Sequence, residues 1–186
     1  MKDNPRIKPI EQATHRTWNE WLTFLESVDA KQLGHREIVD KVFEQLTGKI
    51  ESAGWWSQAV AVAYEQEIGR RVPGQRSDGS FETSVSRATK LGMQELMDAW
   101  AKFATKDKEV QALIMSDVKV GGTDKRLTWR TKGRDGSAII VTSEPKANGT
   151  ASIIAQQGGL QTQELKDEAK EGWAAILSRF ISSFNQ

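Results

Sequence analysis

The sequence predicts an α+β fold: an N-terminal block of three helices packed on a short antiparallel sheet of about four strands, followed by a long C-terminal helix. Three observations favour this class. The first third of the chain carries apolar residues at helical spacing. Residues 126–157 hold three β-rich segments separated by turn dipeptides. The final segment has one continuous apolar stripe. We place the helical block at 1–76 and the sheet with its helix at 77–186, packed together as one unit.

The chain is expected to begin with an extended arm, because Pro5 and Pro9 lie within its first dozen residues. Thr14 is the predicted N-cap of the first helix. The apolar side chains of that helix recur at steps of three and four: Trp18, Trp21, Leu22, Leu25 and Val28.

Two further helices complete the block. The second follows Gly34 and ends near Gly48, with its apolar stripe formed by Ile38, Val39, Val42, Phe43 and Leu46. The third runs from about Trp55 to Ile68, and Gly69 stands where a left-handed C-cap residue is expected. The loop after it holds two turn dipeptides, Pro73-Gly74 and Asp78-Gly79.

The sheet begins with "FETSVSRAT", which alternates apolar and polar residues as a half-buried strand does. A helix follows with the apolar residues Met93, Leu96, Met97, Trp100 and Phe103. The polar segment 104–125 gives no clear prediction. Three strands are then predicted at "RLTWRTK", "AIIVTSEP" and "TASIIAQQ", with Asp135-Gly136 and Asn148-Gly149 in the connections. These dipeptides favour tight turns and therefore an antiparallel meander, although Pro145 weakens the end of the middle strand.

The register of the meander predicts how the sheet is covered. A two-residue turn at Asn148-Gly149 would place Val141 and Ile154 on one face, and Ile140 and Ile153 on the other. Both faces would then be apolar and need cover. We expect the C-terminal helix on one face and the N-terminal helices on the other. That last helix starts near Gln163 and presents an apolar face of Trp173, Ile176, Leu177, Phe180, Ile181 and Phe184.

Two segments resemble a known superfamily. "FETSVSRATKLGMQELMDAWAKF" is similar to the opening strand and helix of the SRPBCC superfamily, also called START-like or helix-grip. "LTWRTKGRDGSAIIVTSEPKANGTASIIAQQGGLQTQELKDEAKEGWAAILSRF" resembles its ending, with Leu160 in the loop and Trp173 in the helix. The nearest branch is that of activator-of-heat-shock-protein-ATPase homologues. The resemblance implies a truncated helix-grip-like sheet, since residues 104–125 are too few for the family's remaining strands. "WNEWL" and "GWWSQAVAVAYEQEIGRRVPGQR" are similar to a bacterial helical domain of unknown function that can precede such a sheet.

Composition excludes several function classes. The net charge is +1, with basic and acidic residues balanced along the chain, so no nucleic-acid partner is expected. The chain has no cysteine and two histidines, and we expect no metal or cofactor. The sequence contains no membrane-length apolar run and no signal-peptide pattern, which favours a cytoplasmic protein with no membrane partner. No catalytic motif occurs, so we name no catalytic residue and expect no enzyme activity.

The stretch Gly54–Arg71 has two interpretations. Its aromatic side chains could form the wall of an apolar pocket with arginines at the rim, or the helix could be part of the core; we favour the core. Arginines that follow a helix are also expected from the helix dipole alone, which argues against a phosphate site. The candidate ligand-binding residues are Trp55, Trp56, Tyr64, Arg70, Arg71 and Trp129.

The START-like resemblance implies non-enzymatic binding of a small hydrophobic ligand between helices and sheet. The alternative is a protein-interaction or chaperone-accessory module that uses an exposed apolar surface. A third, weaker hypothesis is an enzyme that acts on a bound hydrophobic substrate. An internal pocket of roughly 300 Å³ or more would favour a ligand, whereas a solid core with a flat apolar patch would favour interaction.

Overall fold

The structure is a computed structural model that describes residues 4–115 and 117–184. In this part of the chain it has seven helices and a five-stranded antiparallel sheet, which confirms the predicted α+β class. The chain forms two compact units that divide between Pro73 and Gly74. This division lies in the same loop as the predicted boundary. The packing of the helical block on the sheet stays a prediction.

The first unit is a cluster of four helices, one more than predicted. Their bounds are α1 (Ile7–Thr14), α2 (Trp18–Ser27), α3 (His35–Leu46) and α4 (Ala53–Glu67). The larger buried side chains of this unit form one core: Ile10, Trp18, Trp21, Leu25, Ile38, Val39, Val42, Leu46, Val60 and Tyr64. Burial of these side chains stabilises the four short helices, which would be only marginally stable in isolation.

The predicted extended arm is wrong from Ile7 onward, where α1 begins, and residues 1–3 lie outside the described part of the chain. Pro9 lies in the first turn of α1, where a missing N–H removes no intrahelical hydrogen bond. His15 then adopts a left-handed conformation at φ 52° and ends the helix. Thr17, and not Thr14, caps α2, with Glu20 completing a capping box. The buried Thr14 hydroxyl instead accepts a hydrogen bond from the Trp21 indole at 3.0 Å.

The other two predicted helices are confirmed. Helix α3 follows Gly34, whose N–H donates to the Glu37 carboxylate at 2.8 Å. Helix α4 covers the predicted range, and Gly69 follows it with φ +72°, as expected for a left-handed residue after a helix.

The second unit contains the sheet and three helices. Its elements are β1 (Phe81–Ala88), α5 (Met93–Ala104), α6 (Lys108–Leu113), β2 (Lys119–Thr123), β3 (Arg126–Lys132), β4 (Ala138–Pro145), β5 (Ala151–Leu160) and α7 (Gln163–Ser182). The strand order is β1-β5-β4-β3-β2, and all neighbours are antiparallel. The predicted meander, its preceding strand and both helices of this region are confirmed.

The sheet has five strands and not about four, because the segment that gave no clear prediction forms α6 and β2. Asp107 caps α6 by accepting from the N–H groups of Glu109 and Val110. Strand β2 pairs with β3 through a two-residue turn at Asp124 and Lys125.

The predicted face assignment is wrong. Residues 146–150 form a longer connection closed by the Lys146 N–H on the Thr150 carbonyl at 2.8 Å, so the register moves by one residue. Val141 therefore lies on the same face as Ile153, and this face is buried. Ile140 shares the opposite, half-exposed face with Ile154.

Both α5 and α7 cover the buried face. Trp100 of α5 contacts Trp129 of β3 edge to face with 5.8 Å between ring centroids. The same ring lies 6.3 Å from Trp173 and 5.3 Å from Phe180, both on α7. The C-terminal helix therefore covers one face as predicted, and the cover of the opposite face by the N-terminal helices stays a prediction. No helix in the described ranges is both long and apolar enough to cross a membrane.

Candidate ligand-binding cleft

Trp55 and Trp56 lie side by side at the start of α4. Their rings meet edge to face with 4.4 Å between centroids. Trp55 is 63% exposed, whereas Trp56 packs partly buried against the helical core. The two rings are in contact, but Trp55 presents its ring mainly to solvent.

Tyr64 and the two arginines stabilise the helical unit. Tyr64 is buried in the core, and that burial raises its pKa. The Arg70 guanidinium donates to the carbonyl oxygens of Leu33 at 2.7 Å and Lys31 at 2.5 Å. It therefore ties the end of α4 to the loop between α2 and α3.

Arg71 belongs to a buried charged cluster around Glu65. Its Nε lies 3.0 Å from Oε2 of Glu65, and Nδ1 of His35 lies 3.0 Å from the same oxygen. The other imidazole nitrogen of His35 is 3.0 Å from Oε1 of Gln58. Because Glu65 is 3% exposed, these contacts satisfy a carboxylate that would otherwise be costly to bury.

Trp129, the sixth candidate residue, belongs to the sheet unit. It is 2% exposed and packs in the aromatic core with Trp100. The structure thus places five candidate residues in the helical unit and one inside the core of the sheet unit. Their role as ligand contacts stays a prediction.

A cleft that sequence analysis did not single out opens in the sheet unit between α7 and the sheet. Its volume is about 260 Å³. The apolar lining residues are Leu113, Leu160, Leu165, Ala169, Gly172 and Trp173. The polar lining residues are Asp135, Gln157 and Glu168. The cleft is open to solvent and smaller than the internal pocket of roughly 300 Å³ or more that would favour a ligand, so its size alone does not favour one.

The cleft exists because α7 carries small residues on its inner side at this level. Ala169 and Gly172 precede the large residues Trp173 and Ile176 on that side. A Cβ atom built on Gly172 would meet no atom within 4 Å. The large aromatic residues close the space between α7 and the sheet farther along the helix, whereas the small residues leave it open here. This interruption of the apolar stripe was the signal available in the sequence.

One wall of the cleft is a chain of hydrogen bonds that runs from the buried Trp173 to the exposed Asp135. The Trp173 indole N–H donates to Oε1 of Gln157 at 2.7 Å, and the Gln157 amide donates to Oγ of Ser137 at 2.8 Å. The Ser137 hydroxyl donates to Oδ1 of Asp135 at 2.6 Å. Each group is thereby held in one orientation, and the cleft has a fixed polar wall.

The charged lining residues of the cleft, Asp135 and Glu168, are both acidic and exposed. A ligand carboxylate or phosphate there would be repelled, whereas a hydroxyl, an amide or an amine would be accepted. Among residues 4–115 and 117–184, no three His, Cys, Asp or Glu side chains are grouped to hold a metal ion.

No protein-family model matches this chain, and no curated protein matches it. The SRPBCC resemblance therefore stays a prediction. The geometry of the cleft does not depend on that resemblance.

Proposed function

We propose that the sheet unit binds a small, mainly apolar ligand in the cleft between α7 and the sheet, without catalysis. The observation that carries this proposal is an apolar space of about 260 Å³ bounded on one side by a fixed hydrogen-bonded wall. Binding sites for small molecules commonly combine an apolar lining with a few oriented polar groups.

The arrangement also indicates the kind of ligand. Leu113, Leu160 and Leu165 offer an apolar surface for a short chain or a single ring. Asp135 and Glu168 favour a neutral or basic polar end over an acidic one. A short-chain alcohol, amide or amine fits these requirements better than a fatty acid does.

The test uses the full chain purified under native conditions. Native mass spectrometry is expected to show a bound small molecule, or saturable binding of added octanol and octylamine, with octanoate the weakest of the three. Gly172→Phe places a ring in the cleft and should abolish binding. Ala175→Phe adds the same side chain at an exposed position of α7 and is the matched control.

Two results would contradict the proposal. One is the absence of any retained molecule together with no saturable binding of the three probes. The other is binding to Gly172→Phe with the wild-type affinity, which would place the ligand elsewhere in the molecule.

The alternative, a protein-interaction module, is favoured by a different observation. Three of the exposed large apolar residues are close in sequence, Met115 and Val118 before β2 and Val120 within it. Strand β2 is the edge strand of the sheet, and none of these three residues lines the cleft.

A further inference from the structure

We propose that the free edge of β2 binds an extended peptide in which acidic and apolar residues alternate, so that the peptide adds a strand to the sheet. Strand β2 is the last strand in the order β1-β5-β4-β3-β2, and all five of its residues are exposed. An exposed edge strand presents backbone groups that can pair with another chain. Several peptide-binding domains use this mode of recognition.

The backbone of β2 shows which groups face that edge. The hydroxyl of Thr128 on β3 donates to the Gly121 carbonyl at 3.0 Å, so this carbonyl points toward β3. Because backbone groups alternate in direction along a strand, those of Val120 and Gly122 point to the free edge. No strand pairs there among the described residues.

Two consecutive glycines allow a partner backbone to come close. Gly121 has open space where a side chain would be, and Gly122 adopts φ +151°. A Cβ atom on Gly122 would collide with the Arg126 carbonyl oxygen, so the tight turn requires glycine at this position. The hairpin therefore presents backbone rather than side chains along the middle of β2.

Charge favours an acidic partner. Residues 117–134 hold six basic and two acidic side chains, a net charge of +4 in a chain whose total is +1. Lys119 lies directly opposite Arg130 in the hairpin register, and both are exposed. Neither takes part in an ion pair within residues 4–115 and 117–184, whereas Arg126 pairs with Glu144 at 2.6 Å. Lys119, Arg126 and Arg130 are among the residues that line a depression of about 370 Å³ on the hairpin formed by β2 and β3.

The two faces of β2 differ in a way that defines the peptide pattern. Lys119 and Arg130 lie on one face of the hairpin. Val120, which is 58% exposed, lies on the other face, opposite Trp129. A strand added beside β2 alternates its side chains between the same two faces. Acidic residues would lie near Lys119 and Arg130, and apolar residues would cover Val120.

Other occupants fit these observations less well. A second copy of β2 would bring one group of unpaired basic side chains against another, and like charges on neighbouring strands destabilise pairing. A nucleic acid would neutralise the charges, but its phosphates would use neither the backbone edge nor Val120.

The test is a binding titration of the full chain with a fluorescent peptide of about seven alternating Glu and Val residues, followed by fluorescence anisotropy. A peptide of the same length with Lys in place of Glu is the charge control. We expect saturable binding of the acidic peptide only. Amide resonances of residues 119–123 should shift on binding, and those of the α7 cleft should not.

Val120→Pro tests the backbone pairing. Proline removes an N–H that points away from β3, which an edge strand tolerates, so the hairpin is retained. Affinity for the acidic peptide should fall by about tenfold or more, because the lost N–H is one that the added strand uses. Val120→Thr keeps that N–H and the strand preference, and should bind within about threefold of wild type.

The charge contribution is tested with Lys119→Glu combined with Arg130→Glu, which should abolish binding of the acidic peptide and permit binding of the basic one. Lys102→Glu, at an exposed position of α5, is the matched control. Failure of wild type to bind the acidic peptide would overturn the proposal. Equal affinities of Val120→Pro and wild type for the acidic peptide would also overturn it. So would binding of oligothymidylate that the peptide cannot displace, or dimerisation of the chain that Val120→Pro prevents.

Discussion

The indole N–H of Trp173 donates a hydrogen bond to Oε1 of Gln157, with 2.7 Å between the two heavy atoms. Both side chains are buried, and the bond joins α7 to β5 beside the cleft. The Gln157 amide also donates to Ser137, so it cannot rotate without breaking a buried hydrogen bond. The wall of the cleft is therefore part of the packing that holds α7 on the sheet.

Replacement of Trp173 by Phe should destabilise the protein more than the same replacement of Trp100, by about 1–2 kcal/mol. Both rings are essentially fully buried, so the two changes remove similar volume. Trp173→Phe leaves Oε1 of Gln157 unpaired. The Trp100 indole N–H has no hydrogen-bond partner in the described structure, so Trp100→Phe breaks no bond. Urea unfolding of both variants measures the difference, and equal losses would argue against a structural role for the Trp173 hydrogen bond.

Gly172→Ala should stabilise the protein by about 0.5–1 kcal/mol. Alanine restricts the unfolded chain and favours the helix, and its Cβ would enter open space. Thermal unfolding with calorimetry would detect the gain. A loss of stability would mean that the space beside Gly172 is filled in solution, which would also weaken the proposal of a cleft there.

Arg71→Met should destabilise the helical unit by about 2–4 kcal/mol, because it removes the guanidinium that pairs with the buried Glu65 carboxylate and leaves that carboxylate in contact with the His35 imidazole. The matched control is Lys41→Met, which breaks an exposed pair with Glu44 and should change stability by less than about 0.5 kcal/mol. Chemical unfolding followed by circular dichroism compares them. Similar losses of stability in the two variants would show that the buried pair of Glu65 and Arg71 contributes no more to stability than an exposed pair does.

Asp107 should make stability depend on pH in the acid range. Burial opposes its ionisation, but hydrogen bonds from Arg179 and from the N–H groups of Val110 and Glu109 outweigh burial and lower its pKa. The folded pKa is below the unfolded value of about 3.9, so the ionised form stabilises the fold above that pH. This contribution is lost as the pH falls through the folded pKa.

The measurement is the unfolding free energy of wild type and Asp107→Asn at a series of pH values. Wild type should be the more stable protein near neutral pH, and the difference should shrink below about pH 4. A difference between wild type and Asp107→Asn that stays constant with pH would contradict the ion pair with Arg179.

Sequence periodicity predicted most of the fold, because most elements bury one regular face. Helices α3, α4, α5 and α7 follow their apolar stripes, and the strands of the meander lie where β-rich segments alternate with turns. Helix α1 lies where Pro5 and Pro9 predict an extended chain. In the first turn of a helix, a proline costs no hydrogen bond.

Strand β2 was missed for a different reason. Its sequence, KVGGT, has two glycines and buries neither face, so it carries no apolar pattern. Pairing with β3 makes it a strand, and that pairing is a tertiary contact. The faces of Ile140 and Ile153 were misassigned because the turn after β4 is longer than two residues. A one-residue error in turn length exchanges the two faces of a strand.

The cleft was also hidden from sequence reasoning. Trp55 and Trp56 are predicted ligand contacts because they are aromatic, whereas the open space depends on two small residues in the apolar stripe of α7, Ala169 and Gly172. Small residues within an apolar stripe are a weak signal in a sequence. They form a cleft only because the opposite wall, with Gln157 on β5, lies across from them.

The most direct test of the cleft as a binding site is an NMR titration of the isotope-labelled full chain with octanol. It follows the indole N–H resonance of Trp173 and the side-chain amide of Gln157. Our account predicts saturable shifts of both in wild type and in Ala175→Phe, and none in Gly172→Phe. Unchanged resonances in wild type, or equal shifts in Gly172→Phe, would contradict it.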